Sequence, residues 1–364
     1  MRKGPSEIIK IKKRETKKEI LFELAWEVCN QVGGIYTVLR SKVPAMVEKW
    51  GDDYCLIGPY IAQTASIEFE PSVDDSPFSK AAEALREQGI EAHHGHWLVT
   101  GRPRMILVDF EKAMKEADNL KFGLWEDYKI STINAEPLVN KVIVFGHLIE
   151  LYLTEFVENH AKKLSVIAHF HEWMSAVPLL NLVKKKVDIA TVFTTHATML
   201  GRYIAGNVSD FYEHLPTYKW RDEAKEYGIE AQAGIEYNAA QLCHVLTTVS
   251  DITAKECEVF FERKCDLILP NGLNITRFAA SHEFQNLHVK YKQKINQFVM
   301  GHFFQSYSWD LDNTLYFFTS GRYEFKNKGY DLTLEALKRL NFKLVKNKID
   351  TTVVMFIITR NPTY

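Results

Sequence analysis

No apolar run in the 364 residues approaches the roughly 20 needed for a membrane-spanning helix. Charge of one sign is also missing: 45 Lys and Arg face 46 Asp and Glu, a net charge of −1. That balance excludes a general nucleic-acid or membrane-surface binder. Cysteine is scarce. The five residues Cys29, Cys55, Cys243, Cys257 and Cys265 are odd in number and never spaced C-x-x-C. They imply reduced thiols of a cytoplasmic protein, with neither a disulfide framework nor a zinc site. No G-x-G-x-x-G follows a strand, so a dinucleotide is not the natural ligand. The basic stretch Lys10 to Lys18 lacks a following signal-peptide core, and residues 1–18 read as a solvated leader.

What is present is the composition of a globular chain, 46% apolar and 25% charged, long enough for two domains. Glu19 to Ala25 reads as a short apolar strand. After Val32-Gly33-Gly34, the apolar positions Ile35, Val38, Leu39, Val43, Met46 and Val47 recur at helical spacing. Strand segments follow at 53–57, 104–109, 164–169 and 189–194. Residues 65–80 look like a surface loop, and Pro137 stands in the first turn of a long helix. The alternation of strands and helices predicts a doubly wound α/β sheet.

Chemistry-bearing residues collect where these strands end. A glycine pair ahead of a helix, Gly33-Gly34, suits a phosphate cradle, because free N–H groups and the helix dipole favour an anion; an ordinary structural turn reads the same way. The strand 189–194 runs into Thr195-His196-Ala197-Thr198 and then Gly201-Arg202-Tyr203, which puts His196 and Arg202 where an open α/β sheet gathers its ligands. The preceding strand ends in His169-Phe170-His171-Glu172, a cleft wall or, less simply, a metal site without a third-ligand pattern. Asp251 can cap a helix after the strand 244–250. Pro270-Asn271-Gly272 closes the first domain in a turn.

From Ser281 a helix begins with the apolar stripe Phe284, Leu287, Tyr291, Ile295 and Phe298. His282, Glu283, Gln285, His288 and Lys292 form a polar flank, either solvated or an anion pocket. The strand 314–319 leads into Gly321-Arg322-Tyr323-Glu324 and Asn327-Lys328-Gly329, where two cations ahead of a helix make a good diphosphate site. Asp310-Leu311-Asp312 precedes the strand, the wrong side for a metal-binding D-x-D.

Taken together, Ala25-Trp26-Glu27-Val28, Val32-Gly33-Gly34-Ile35-Tyr36, Phe170-His171-Glu172-Trp173, Thr195-His196-Ala197-Thr198, Gly201-Arg202-Tyr203, Pro270-Asn271-Gly272-Leu273-Asn274 and Gly321-Arg322-Tyr323-Glu324-Phe325 resemble the glycogen synthases of animals and fungi. The resemblance implies an α/β GT-B glycosyltransferase of two Rossmann-like domains: residues 19–280 on the acceptor side and residues 281–364 as the start of an incomplete donor domain. It implies retaining transfer of glucose from UDP-glucose to an α-1,4-glucan. His196, Arg202, Arg322 and Lys328 would be catalytic, with Gln31, Gly33, Gly34, His171, Glu172 and Asn271 around the substrate. His282, Glu283, Gln285, His288 and Lys292 would belong to an allosteric glucose-6-phosphate site. No metal or cofactor is implied; the partners are glycogen and glycogenin.

Two departures qualify these expectations. Gln31 stands where the family commonly has lysine, so weaker donor binding is expected. The family's remaining donor domain, with its catalytic glutamate, arginine-rich helix, phosphorylated tail and the helices of homo-oligomer assembly, has no counterpart here. The expected chain is therefore a truncated glycogen synthase, or a non-catalytic piece that keeps glucan or glycogenin binding. A phosphorylase would need a pyridoxal-lysine context that is not found.

Overall fold

The computed structural model describes residues 18–162, 164–275 and 281–360, with the backbone alone for residues 281, 282 and 360. Except for Lys18, the expected basic leader lies outside the described residues, and Lys18 opens the first strand. In chain order the elements are β1 (Lys18–Leu24), α1 (Gly34–Trp50), β2 (Tyr54–Pro59), α2 (Ala62–Glu68), β3 (Phe69–Pro71), α3 (Pro77–Glu87), β4 (Ala92–Trp97), β5 (Arg104–Val108), α4 (Ala117–Tyr128) and α5 (Pro137–Glu155). Then come β6 (Leu164–His171), α6 (Val177–Lys184), β7 (Ala190–Thr195), α7 (Met199–Asn207), α8 (Phe211–His214), α9 (Trp220–Glu226), α10 (Glu230–Leu242), β8 (Val245–Thr248), α11 (Asp251–Phe260) and β9 (Leu267–Ile268). The last four are α12 (Ser281–Phe303), β10 (Thr314–Arg322), α13 (Tyr330–Lys346) and β11 (Thr352–Arg360).

Nine strands form one sheet in the order β3-β4-β5-β2-β1-β6-β7-β8-β9, parallel except at the β3–β4 and β4–β5 pairs. This is the α/β fold class expected. β1 is central, and helices cover both of its faces, so it must be apolar on both. Ile20, Phe22 and Leu24 enter one core with α3 and α5, where the Phe22 ring meets Phe78 and Phe156 edge-on at centroid distances of 5.4 and 4.8 Å. Leu21 and Ala25 enter the other with Tyr36, Leu39 and Val43 of α1. Glu23 is the one charged side chain on the inner stretch of this strand, and it is fully buried.

The sheet turns at β1: the chain goes to β2 on one side and, from β6 onward, builds outward on the other. That switch point is where an open α/β sheet leaves a crevice at its strand ends. The register aligns Glu23 with His169 across it and His171 with Thr194 on β7.

The expected loop over residues 65–80 is largely ordered as α2, β3 and the start of α3. Glu68 anchors it, accepting from the Tyr36 hydroxyl at 2.7 Å and Trp97 Nε1 at 3.0 Å. Strand β4, Ala92-His-His-Gly-His-Trp97, was masked by its polar composition. At Gly95 a Cβ would collide with the Glu70 carbonyl and the Phe69 ring, so only hydrogen fits against β3. The cap of α11 is Ser250, whose Oγ accepts from Thr253 N at 3.2 Å; Asp251 sits in the first turn instead.

β10 and β11 form a separate parallel pair joined through α13, in register from Thr314↔Thr352 to Arg322↔Arg360. The stripe expected to seat α12 is mostly exposed: Phe284, Leu287, Tyr291 and Phe298 all face solvent. One βαβ unit and one helix cannot supply a second covering layer. No helix among the described residues is long and apolar enough to cross a membrane.

Candidate active site

At the switch point the buried Glu23 carboxylate gathers donors from three elements. Lys42 of α1, the Tyr54 hydroxyl of β2 and His171 Nε2 of β6 all bond it, the last at 2.6 Å. Burial alone would raise this carboxyl, yet Lys42, His171 and His169 hold it well below its ordinary value. His171 Nδ1 lies 3.0 Å from His196 Nε2, and the three rings of His169, His171 and His196 follow one another at centroid distances of 4.2 and 5.3 Å. Burial, with His171 and Lys42 adding to it, pushes His196 down to about 3, so its imidazole is neutral at ordinary pH. Glu23, His169 and His171 offer ligand atoms within 4.8 Å of one another, close enough for a metal ion. The Lys42 ammonium already supplies the cation, so the donor set does not fit a metal.

His196 opens a turn that buried acids hold in place. Glu172 adopts φ 64, and its Oε1 accepts from His196 N at 2.8 Å and Ala197 N at 3.3 Å. Glu236 accepts from Thr195 Oγ1 at 3.1 Å and Met199 N at 2.9 Å. Thr198 caps α7 by accepting from Gly201 N at 2.9 Å and donates to Glu256 Oε2 at 2.6 Å. Burial raises all three carboxyls, and Glu172 adds to the effect on Glu236, which reaches about 8. The cation that draws each of them back down is Arg202, one turn along α7.

Two cavities flank this turn. One, of about 290 Å³, is lined by His171, His196, Asn271 and Lys42. The other, of about 930 Å³, lies between the two sheets and is lined by Ala197 and Arg202 on one side and by Arg322 and Lys328 on the other. Arg322 is 60% exposed and pairs with Glu324 at 3.2 Å. Asn327 Nδ2 donates to the Arg202 carbonyl at 3.2 Å and ties the two sides together.

The expected site residues divide accordingly. His196, Arg202, Arg322 and Lys328 border the paired cavities, with His171 and Asn271 beside His196. Glu172 lies beneath the turn, buried, and lines neither. Gln31, Gly33 and Gly34 line neither cavity. The phosphate cradle expected at the glycines has an internal occupant: Glu27 Oε2 accepts from Gly33 N and Tyr36 N, both at 2.9 Å, and takes the anion's place at the start of α1. Glu283, Gln285 and His288 are exposed and Lys292 half-buried along α12, away from both cavities; the side chain of His282 lies outside the described residues. Residue-type reasoning missed Glu23, Lys42, Glu236 and Glu256. The available signal for Glu23 was an acid inside a strand whose neighbours are all apolar; Lys42 carried none, since a lysine on an amphipathic helix is ordinary.

Comparison with known proteins agrees with these motifs. The sequence model of the glycogen synthase family matches residues 23–364. Glycogen [starch] synthase of Neurospora crassa is 48% identical over 346 residues, covering 95% of this chain and 49% of its own. The liver glycogen [starch] synthase of Homo sapiens is 43% identical, covering 93% of this chain and 48% of its own. The chain thus spans about half the length of these relatives. A solved structure titled as trehalose-6-phosphate from E. coli bound with UDP-2-fluoro glucose covers 94% of this chain and 65% of its own at 10% identity and a TM-score of 0.45, a likeness too distant to build on. By its sequence match along nearly the whole length, the chain belongs to the glycogen synthase family.

Proposed function

We propose that this chain forms the acceptor-side half and the first donor-side unit of a retaining glucosyltransferase that moves glucose from UDP-glucose to the non-reducing end of an α-1,4-glucan. The observation that carries the reading is the facing of Arg202 from one sheet by Arg322 and Lys328 from the other across one cavity. Cations fixed around a leaving diphosphate act where negative charge develops, which lowers the barrier more than binding the ground state would. The acceptor hydroxyl attacks from the face that the UDP leaves, and the departing phosphate takes its proton. Burial and the Glu172 carboxyl raise Glu236 to about 8, which spares the site one more anion beneath the turn.

The flank of exposed Glu283, Gln285 and His288 with half-buried Lys292 is our candidate for part of a glucose-6-phosphate site, on the strength of the sequence resemblance. Cytoplasmic residence and partnership with glycogen and glycogenin belong to the same reading. A second reading, a glucan- or glycogenin-binding piece without turnover, is favoured by the thin core of the second unit, where Val299, Thr314 and Tyr330 are the only buried side chains described. Transfer of labelled glucose from UDP-glucose to glycogen by the purified chain decides between them. Turnover abolished by Lys328→Ala supports the first; glycogen binding with no transfer and no UDP binding supports the second.

A further inference from the structure

The row Glu23, His171, His196 settles which nitrogen of each ring carries a proton. Glu23 receives Lys42, Tyr54 and His171, and an ionised carboxylate beside an ammonium can only accept. His171 Nε2 therefore carries its hydrogen toward Glu23 Oε1 at 2.6 Å. Burial lowers the His171 imidazole below its ordinary value against the pull of Glu23, so the ring is neutral and its Nδ1 is bare. That bare nitrogen lies 3.0 Å from His196 Nε2, which must then be the donor. A neutral His196 is left with an unprotonated Nδ1, which faces the Asn271 amide at 3.4 Å in the wall of the 290 Å³ cavity. His169 steadies the arrangement, its ring 4.2 Å from that of His171 and its Nε2 held by Thr194 Oγ1 at 2.6 Å.

We propose that Glu23 and His171 are positioning residues that hold His196 in the Nε2–H tautomer, so that His196 meets the ligand with a bare Nδ1 and selects a hydroxyl group that donates to it. The choice of a sugar hydroxyl rests on the glucosyltransferase reading; the tautomer does not. A ring locked this way rejects a ligand group that can only accept, such as fluorine or a carbonyl, at the same place. The weak Asn271 contact is the one such a hydroxyl would replace.

Nitrogen NMR of the whole chain with isotope-labelled histidine reads the tautomer with no ligand present. His196, assigned by the signal lost in His196→Gln, should show a protonated Nε2 and a bare Nδ1. In Glu23→Gln the carboxamide can donate or accept, so His171 and His196 should pass to mixed tautomers while circular dichroism stays unchanged. A His196 protonated at Nδ1 in the unmutated chain overturns the proposal, as does a folded Glu23→Gln with unaltered tautomers. Should Glu23→Gln not fold, His171→Asn tests the same link, and an unaltered His196 again overturns it. Calorimetric titration with UDP-glucose and its deoxy and fluoro analogues then tests selection. One analogue should bind about tenfold more weakly, a gap that Glu23→Gln narrows. Analogues binding alike overturn the selection of a hydroxyl. Absence of UDP-glucose binding sinks the glucosyltransferase reading and leaves the tautomer result standing.

Discussion

Arg322 and Glu236 show how differently two single residues can matter. Arg322 is mostly exposed and holds little of the fold, so Arg322→Ala should leave the melting temperature nearly unchanged. Its loss should weaken UDP binding about tenfold and, in a chain that turns over, lower kcat by about 10². Unaltered UDP affinity by calorimetry would show that the diphosphate is held elsewhere. Glu236 does the opposite. Its carboxyl is raised from 4.5 to about 8 by burial and by Glu172, so the folded state holds a proton that the unfolded chain releases. Stability from this group is complete below about pH 4.5 and is lost as the pH climbs through about 8. Glu172 and Glu256 are raised too and slope the same way, whereas Glu23, held low, slopes the other way in acid. Glu236→Gln should therefore flatten the fall in melting temperature between pH 5 and 8, measured by calorimetric scans at the two ends; an unchanged slope would mean that Glu236 is ionised in the fold.

Among the elements, α7 depends most on its neighbours. Thr198 both caps it and feeds Glu256, so Thr198→Ala should cost about 1 kcal/mol for the cap and more for the acid left short of a partner, read by denaturant titration. Gly201→Ala should be as harmful. A Cβ there meets the Glu256 carboxylate, which cannot retreat while Thr198 and Tyr212 hold it, and overpacking of this kind costs about 1–3 kcal/mol. The strand and helix pattern around α7 was legible because β1, β7 and β8 are largely buried on both faces, β6 is buried on one and half-buried on the other, and all four are rich in apolar or β-branched residues. β4 was not legible: three of its six residues are histidines, and it owes its place to antiparallel pairing with β3 and β5. His196 and Arg202 could be read from the strand end they follow. Of the acids beneath the turn, Glu172 follows β6 and was legible with it, whereas Glu236 and Glu256 arrive from α10 and α11, at sequence distances that no local pattern encodes.

Across the whole molecule, stability is uneven. The nine-stranded sheet has two closed cores, while α12, β10, α13 and β11 bury three side chains among those described. Hydrogen exchange should open β10 and β11 well before β1 and β6, and a hydrophobic dye should bind this unit, where Phe318, Leu332 and Phe342 are exposed. Equal protection of the two sheets would refute this division. The same unevenness explains why the second unit was harder to foresee: a helical period identifies an apolar stripe on α12, but only the layers around it decide whether the stripe is covered. The Asn327–Arg202 contact gains meaning here. Asn327 stands next to Lys328, and the carbonyl it holds belongs to the residue whose guanidinium lines the opposite wall. A swing of the loosely built unit away from the large sheet would release that carbonyl and withdraw Lys328 in one movement. On the glucosyltransferase reading, opening the cleft and letting go of the diphosphate would then be a single event, with this bond as the latch.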